Sequence, residues 1–162
     1  MMNRSVYEIV SGFSGEGYRS VVRAASGLSR WFGVIERSNP DHYLPVVQRL
    51  LNDLVPYLSD IEQVRSWPGT QVVGSRTETR LLFDVTPESV EMVLRSSSCF
   101  WDWANTDYPD DLHFLRSDKS TVLGSTWCTQ FAWLELDSEE LRLVKSRISQ
   151  DVSLSESEVS WE

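Results

Sequence analysis

Asp110 and Asp111 are the first residues in this 162-residue chain whose type invites chemistry. Paired carboxylates serve as general acid and base, or hold a divalent cation. The pair opens the stretch Asp110 to Arg116 (DDLHFLR), which reads as a strand. Neighbours on a strand point to opposite faces, so the two carboxylates are expected to diverge, as strand-edge acids or part of an acidic contact surface. A thiol and an imidazole, Cys128 and His113, form the second combination with reactive potential. A His and a Cys in one sheet are read as structural neighbours rather than as a dyad. His42 and His113 are far apart and no CxxC occurs, so no metal site and no cofactor is expected. The run Ser11-Gly12-Phe13-Ser14-Gly15-Glu16-Gly17 lacks the preceding strand and the following Lys of a phosphate loop, and reads as a flexible segment.

The group Phe100-Trp101-Asp102-Trp103 carries a more specific signal. Seven Trp in one short chain is an excess, and Trp and Tyr dominate binding hot spots because they bury large areas at small entropic cost. Phe100 and one of Trp101 or Trp103 are expected in the core, with the other at the surface beside Asp102 and Asp107.

These residues need elements to position them. Tyr18 to Ala25 reads as a strand around Val21-Val22, and Arg30 to Ile35 as a second. Asn39-Pro40-Asp41 marks a helix start. Leu44, Val47, Leu50, Leu51, Leu54 and Val55 then recur at spacings of three and four, and Pro56 should end or kink that helix. Tyr57 to Arg65 is taken as a second short helical piece. Trp67-Pro68-Gly69-Thr70 is a turn. Thr77 to Val85 is a strand, and Thr86-Pro87-Glu88 starts a helix that runs to about Ser97. After Asp110–Arg116 come strands at 121–125 and 130–136, and a helix capped by Asp137 and Glu140. Short intervals favour antiparallel hairpins. The expectation is one α+β domain over residues 1–162, mainly an antiparallel sheet with about three helices packed on it. The ends, 1–16 and 150–162, are expected to be flexible.

Composition narrows the function. Apolar residues make up 41% of the chain, enough for a sizeable core, and the formal net charge is −9. An acidic chain is a poor match for nucleic acid, which demands clustered Lys and Arg. The acid is uneven: residues 1–80 carry a net +1 and residues 81–162 a net −10. Two cysteines are too few for a disulfide scaffold, and no apolar run reaches a signal-peptide core or a membrane span. A reduced, cytoplasmic protein with no membrane contact is expected.

Trp67-Pro68-Gly69-Thr70, Trp103, Tyr108-Pro109-Asp110-Asp111-Leu112-His113-Phe114-Leu115-Arg116-Ser117-Asp118 and Trp133-Leu134-Glu135-Leu136 follow one another in an order that resembles a family of small bacterial proteins. That family carries W-P-G-T, a helix, P-E-D-L-x-F-x-R and a closing strand, and is similar to immunity proteins of polymorphic toxin systems. The resemblance covers about residues 60–136. Members often carry a His-Glu pair before the closing strand, where this chain has Cys128-Thr129. The resemblance implies a non-enzymatic inhibitor whose partner is a cognate toxin, of the basic nuclease type. Asp102, Trp103, Asp107, Tyr108, Asp110 and Asp111 are the residues expected to contact it, since an acidic, aromatic surface suits a basic cleft. The alternatives are a scaffolding domain whose acid only keeps it soluble, and a small enzyme built on Cys128 or His113.

Overall fold

The computed structural model describes residues 3–37, 39–104 and 107–158. It is an α+β fold in which one eight-stranded antiparallel sheet carries a layer of helices on one face. In chain order the elements are β1 (Ser5–Ser11), α1 (Gly15–Ser26), β2 (Trp31–Glu36), α2 (Pro45–Leu54), β3 (Leu58–Val64), β4 (Ser66–Trp67), β5 (Thr70–Gln71), β6 (Glu78–Asp84), α3 (Pro87–Ser96), β7 (Asp110–Leu115), β8 (Thr121–Thr126), β9 (Phe131–Leu136), α4 (Ser138–Lys145) and β10 (Ser153–Ser157). The sheet order is β10-β1-β9-β8-β7-β2-β6-β3, and β4-β5 form a separate small hairpin. Among the described residues no helix is long and apolar enough to cross a membrane.

Alternation sorts each strand between two faces. Phe32 and Val34 on β2, Leu112 and Phe114 on β7, and Ala132, Leu134 and Leu136 on β9 point at the helices. There Phe32 stacks on Phe83 at 5.2 Å and meets Phe114 at 5.7 Å. The helices start as their caps dictate. The Thr86 hydroxyl accepts from Ser89 N, and the Ser89 hydroxyl returns the bond from Thr86 N. Asp137 accepts from Glu139 N and Glu140 N, while Glu140 accepts from Asp137 N. The Arg116 guanidinium, nearly buried, holds both oxygens of the same Glu140 at 3.0 and 2.7 Å. That pair ties α4 to the end of β7.

Four expectations are corrected. Residues 18–25 are not a strand but the centre of α1, with Tyr18, Val21, Val22 and Ala25 forming one wholly buried stripe at helical spacing. Among the described residues the fold therefore has four α-helices. The short helical piece expected over 57–65 does not continue past Tyr57: Pro56 sits in a 3-10 turn, Val55–Tyr57, and the chain leaves it as the edge strand β3. Ion pairing across that edge, from Arg80 to Glu62 at 2.8 Å, holds it to β6. The glycine run is ordered, because Gly12 adopts φ +89° and a Cβ on Gly17 would lie 2.8 Å from the Gly12 Cα, so strand end and helix start pack closely. The two ends read as flexible supply β1 and β10, which pair with each other, Val6 opposite Ser157 and Ile9 opposite Leu154. Residues 159–162 lie outside the described residues.

His113 is wholly buried on the sheet face away from the helices, packed across Gly33. Burial drives its pKa down to about 4, so the folded protein holds it neutral. The unfolded chain binds a proton below about pH 6.5, whereas the folded chain does not until pH 4. Stability from this residue is full above pH 6.5 and falls as the pH drops towards 4, by about 3 kcal/mol. The expected result is a urea midpoint that drops from pH 7 to pH 4, with a flatter profile in His113→Gln. Equal slopes would show that other groups govern the acid limb.

Candidate functional site

The short 3-10 turn Phe100–Asp102 sets the aromatic group. The Asp102 carboxylate reaches back to accept from Ser98 N at 2.7 Å and Cys99 N at 3.0 Å, so its charge is spent on capping. The turn sends Phe100 and Trp103 inward, each 1% exposed, and leaves Trp101 half-buried. The Trp103 indole N–H donates to the Tyr18 hydroxyl at 3.1 Å, and that hydroxyl shares a 2.7 Å bond with Ser97. Burial pushes the Tyr18 phenol up to about 12. Tyr108 meets the Trp103 ring edge-on at 5.4 Å and donates its hydroxyl proton to Ser96 O at 2.5 Å.

Around this frame lies a groove of about 630 Å³, lined by Arg19 of α1, Leu44, Arg95 of α3, Trp101, Asp107 and Tyr108, with Asp102 at its edge. Asp107 is exposed, and its carbonyl accepts from Leu44 N. Of the six residues expected to meet a partner, Asp102, Asp107 and Tyr108 therefore share this groove. Trp101, rather than Trp103, is the aromatic beside them.

Trp103, Asp110 and Asp111 do not form a surface with the others, being 1%, 3% and 3% exposed. The expected divergence of the two carboxylates is also corrected. Asp111 has φ +55° and occupies a bulge in β7: Gly33 pairs with His113, whereas Ile35 pairs with Asp110. The extra residue breaks the alternation, and both carboxylates turn to Trp127. Asp110 accepts from the Trp127 indole N–H at 3.2 Å, and Asp111 from the Trp127 backbone N–H at 3.1 Å. The second Asp111 oxygen accepts from the Trp67 indole at 2.8 Å. Burial raises the Asp111 pKa, with the Trp67 and Trp127 donors opposing. Arg37 lies 3.6 Å from Asp110 and 3.8 Å from Glu78, which also pairs with Arg76 at 2.8 Å. The cluster joins W-P-G-T to the start of β7, and its oxygens are engaged in holding the fold.

The cysteine and histidine stand apart in their settings. His113 Nδ1 bonds the Asp111 carbonyl at 2.8 Å inside the protein, and Cys128 is exposed in the turn after β8. Cys99 is half-buried, its thiol pushed up by burial. Among the described residues no group of three or more His, Cys, Asp or Glu side chains is arranged to hold a metal ion. Arg19 and Arg95 were not foreseen as groove residues, since Arg19 comes to the groove only if residues 18–25 are helical. Comparison with known protein families, with curated proteins and with solved structures returns no match to this chain.

Proposed function

We propose that the chain is an immunity-type inhibitor, which binds a basic, nuclease-like toxin domain and occludes its active site. The observation that carries this reading is the helix-side groove, where a half-buried tryptophan, Trp101, lies beside the exposed carboxylate of Asp107. An aromatic anchor supplies contact area at small entropic cost. A carboxylate on its rim, in a chain of net charge −9, accelerates approach of a basic partner. Arg19 and Arg95 in the lining give the groove both signs of charge, which orients whatever enters. The resemblance of the W-P-G-T and P-D-D-L segments to immunity proteins favours the same reading.

The test begins with a tagged chain recovered from its native cells and eluted in rising salt. A single basic protein leaving in near one-to-one amount, and losing its activity when the chain is added back, is the expected result. Asp107→Lys should then weaken that complex about tenfold while leaving the urea midpoint in place, and Trp101→Phe, which keeps an aromatic ring against Phe13, should weaken it further. Unchanged affinity would remove the groove as the contact. Recovery of no stoichiometric partner would remove the inhibitor reading.

A further inference from the structure

The helix-free face of the sheet holds a second cavity, of about 500 Å³, between the Trp67–Thr70 turn and β9. Its walls are the turn itself with Ser66, Gln71 and Thr121, and its floor is Trp133 with Glu135. Trp133 is clamped: a Cβ on Gly69 would come within 2.5 Å of its ring, and one on Gly124 within 2.3 Å. The turn is held from the other side by the Trp67–Asp111 bond. Both walls and floor are thus set before anything binds.

Among the described residues, Glu135 is the one charged residue in the lining. It is half-buried, and the Trp133 indole N–H donates to its Oε1 at 3.1 Å. Burial raises its pKa, and the more distant Arg116 and Arg4 only partly oppose this. Arg116 donates to the Glu135 backbone carbonyl at 2.7 Å and to the Glu140 carboxylate, and Arg4 to the Ser120 hydroxyl at 3.2 Å, rather than to the Glu135 side chain. Glu8, opposite Trp133 in the β1–β9 register, adds a second carboxylate to this face. The cavity therefore offers a partly desolvated carboxylate in a lining that also holds the hydroxyl residues Ser66, Thr70 and Thr121 and the amide of Gln71.

We propose that this cavity receives the side chain of an arginine presented by a partner protein, with Glu135 as its counter-charge. A guanidinium has five N–H donors and no acceptor, which matches one carboxylate set among neutral oxygens better than a lysine ammonium does. The proposal rests on the inhibitor reading only for the source of the arginine. The cavity lies on the opposite face of the sheet from the groove, and it is testable without the partner.

The experiment is an amide and indole N–H NMR titration of the full chain with N-acetyl-arginine methylamide, and with its neutral isostere, the citrulline compound. The expected result is saturable shifts at the Trp133 indole N–H and at the Gly69 and Thr70 amides with the arginine probe, none with citrulline, and at least tenfold weaker binding in Glu135→Gln. That variant keeps the oxygen that accepts from Trp133. Absence of shifts in the wild-type chain, equal response to citrulline, or undiminished binding by Glu135→Gln would overturn the proposal. Equal or tighter binding of the lysine analogue would overturn the guanidinium assignment. None of these outcomes bears on whether Trp101 and Asp107 bind a toxin.

Discussion

Replacing Asp111 with alanine is expected to lower the unfolding free energy by about 3 kcal/mol, a large fraction of what a domain of this size possesses. Two buried donors, the Trp67 indole N–H and the Trp127 backbone N–H, lose their acceptor together. Each orphaned donor costs about 1–3 kcal/mol, and relief from burying the carboxylate offsets part of that. The φ of +55° adds strain, because alanine tolerates the left-handed region less well than aspartate. Asp111→Gly separates the two causes: it relieves the backbone and still orphans both donors. Urea unfolding followed by tryptophan fluorescence measures all three proteins. A change below about 0.5 kcal/mol in Asp111→Ala would show that water replaces the carboxylate without loss.

Gly124→Ala is expected to cost about 3 kcal/mol for the opposite reason, too much matter rather than too few bonds. Its new methyl would fall 2.3 Å from Cζ2 and 2.6 Å from Cε2 and Cη2 of Trp133, a ring already pressed from above by Gly69. Neither the rigid indole nor the paired β8 and β9 backbones can retreat without breaking the Trp133–Glu135 bond or the register of Gly124 with Trp133. A double-mutant cycle gives the test. In a Trp133→Phe background the same alanine should cost less than about 1 kcal/mol, and equal costs in both backgrounds would place the strain elsewhere.

Much of the frame could be read from local rules. Thr86-Pro87 and Asp137 with Glu140 start helices because capping depends on side chains only three residues apart. Trp31 to Ile35, aromatic and β-branched, is a central strand. The misreadings have equally specific causes. Val21-Val22 suggested a strand, although Tyr18, Val21, Val22 and Ala25 stand at helical intervals, and packing against the sheet decided for the helix. Residues 58–64 carry little alternation, because β3 is an edge strand with one side open, so no pattern marked it.

The site was legible in type but not in direction. An acidic, aromatic neighbourhood around residues 101–108 is present, and the division of labour between Trp101 and Trp103 follows from a single 3-10 turn. The positive φ of Asp111 leaves no trace in the sequence, and alternation alone would never turn Asp110 and Asp111 onto one tryptophan. The glutamate at 135 passed as an ordinary polar residue in a closing strand. Its setting depends on the Trp67–Thr70 turn, which the sheet brings over β9 from more than sixty positions away.

The pairing of β1 between β9 and β10 has a consequence for how the protein comes into being. Synthesis delivers Ser5–Ser11 more than a hundred residues ahead of both neighbours of that strand, which are encoded beyond residue 130. The hairpins β7–β8–β9 can close as they emerge, since their partners are adjacent in the chain. Among the strands of this sheet, β1 waits longest for its partners. Until β9 has been made, Val6 and Ile9 lack their native strand neighbours and are open to the wrong partner. The sheet therefore closes around β1 only once residues 131–157 have emerged.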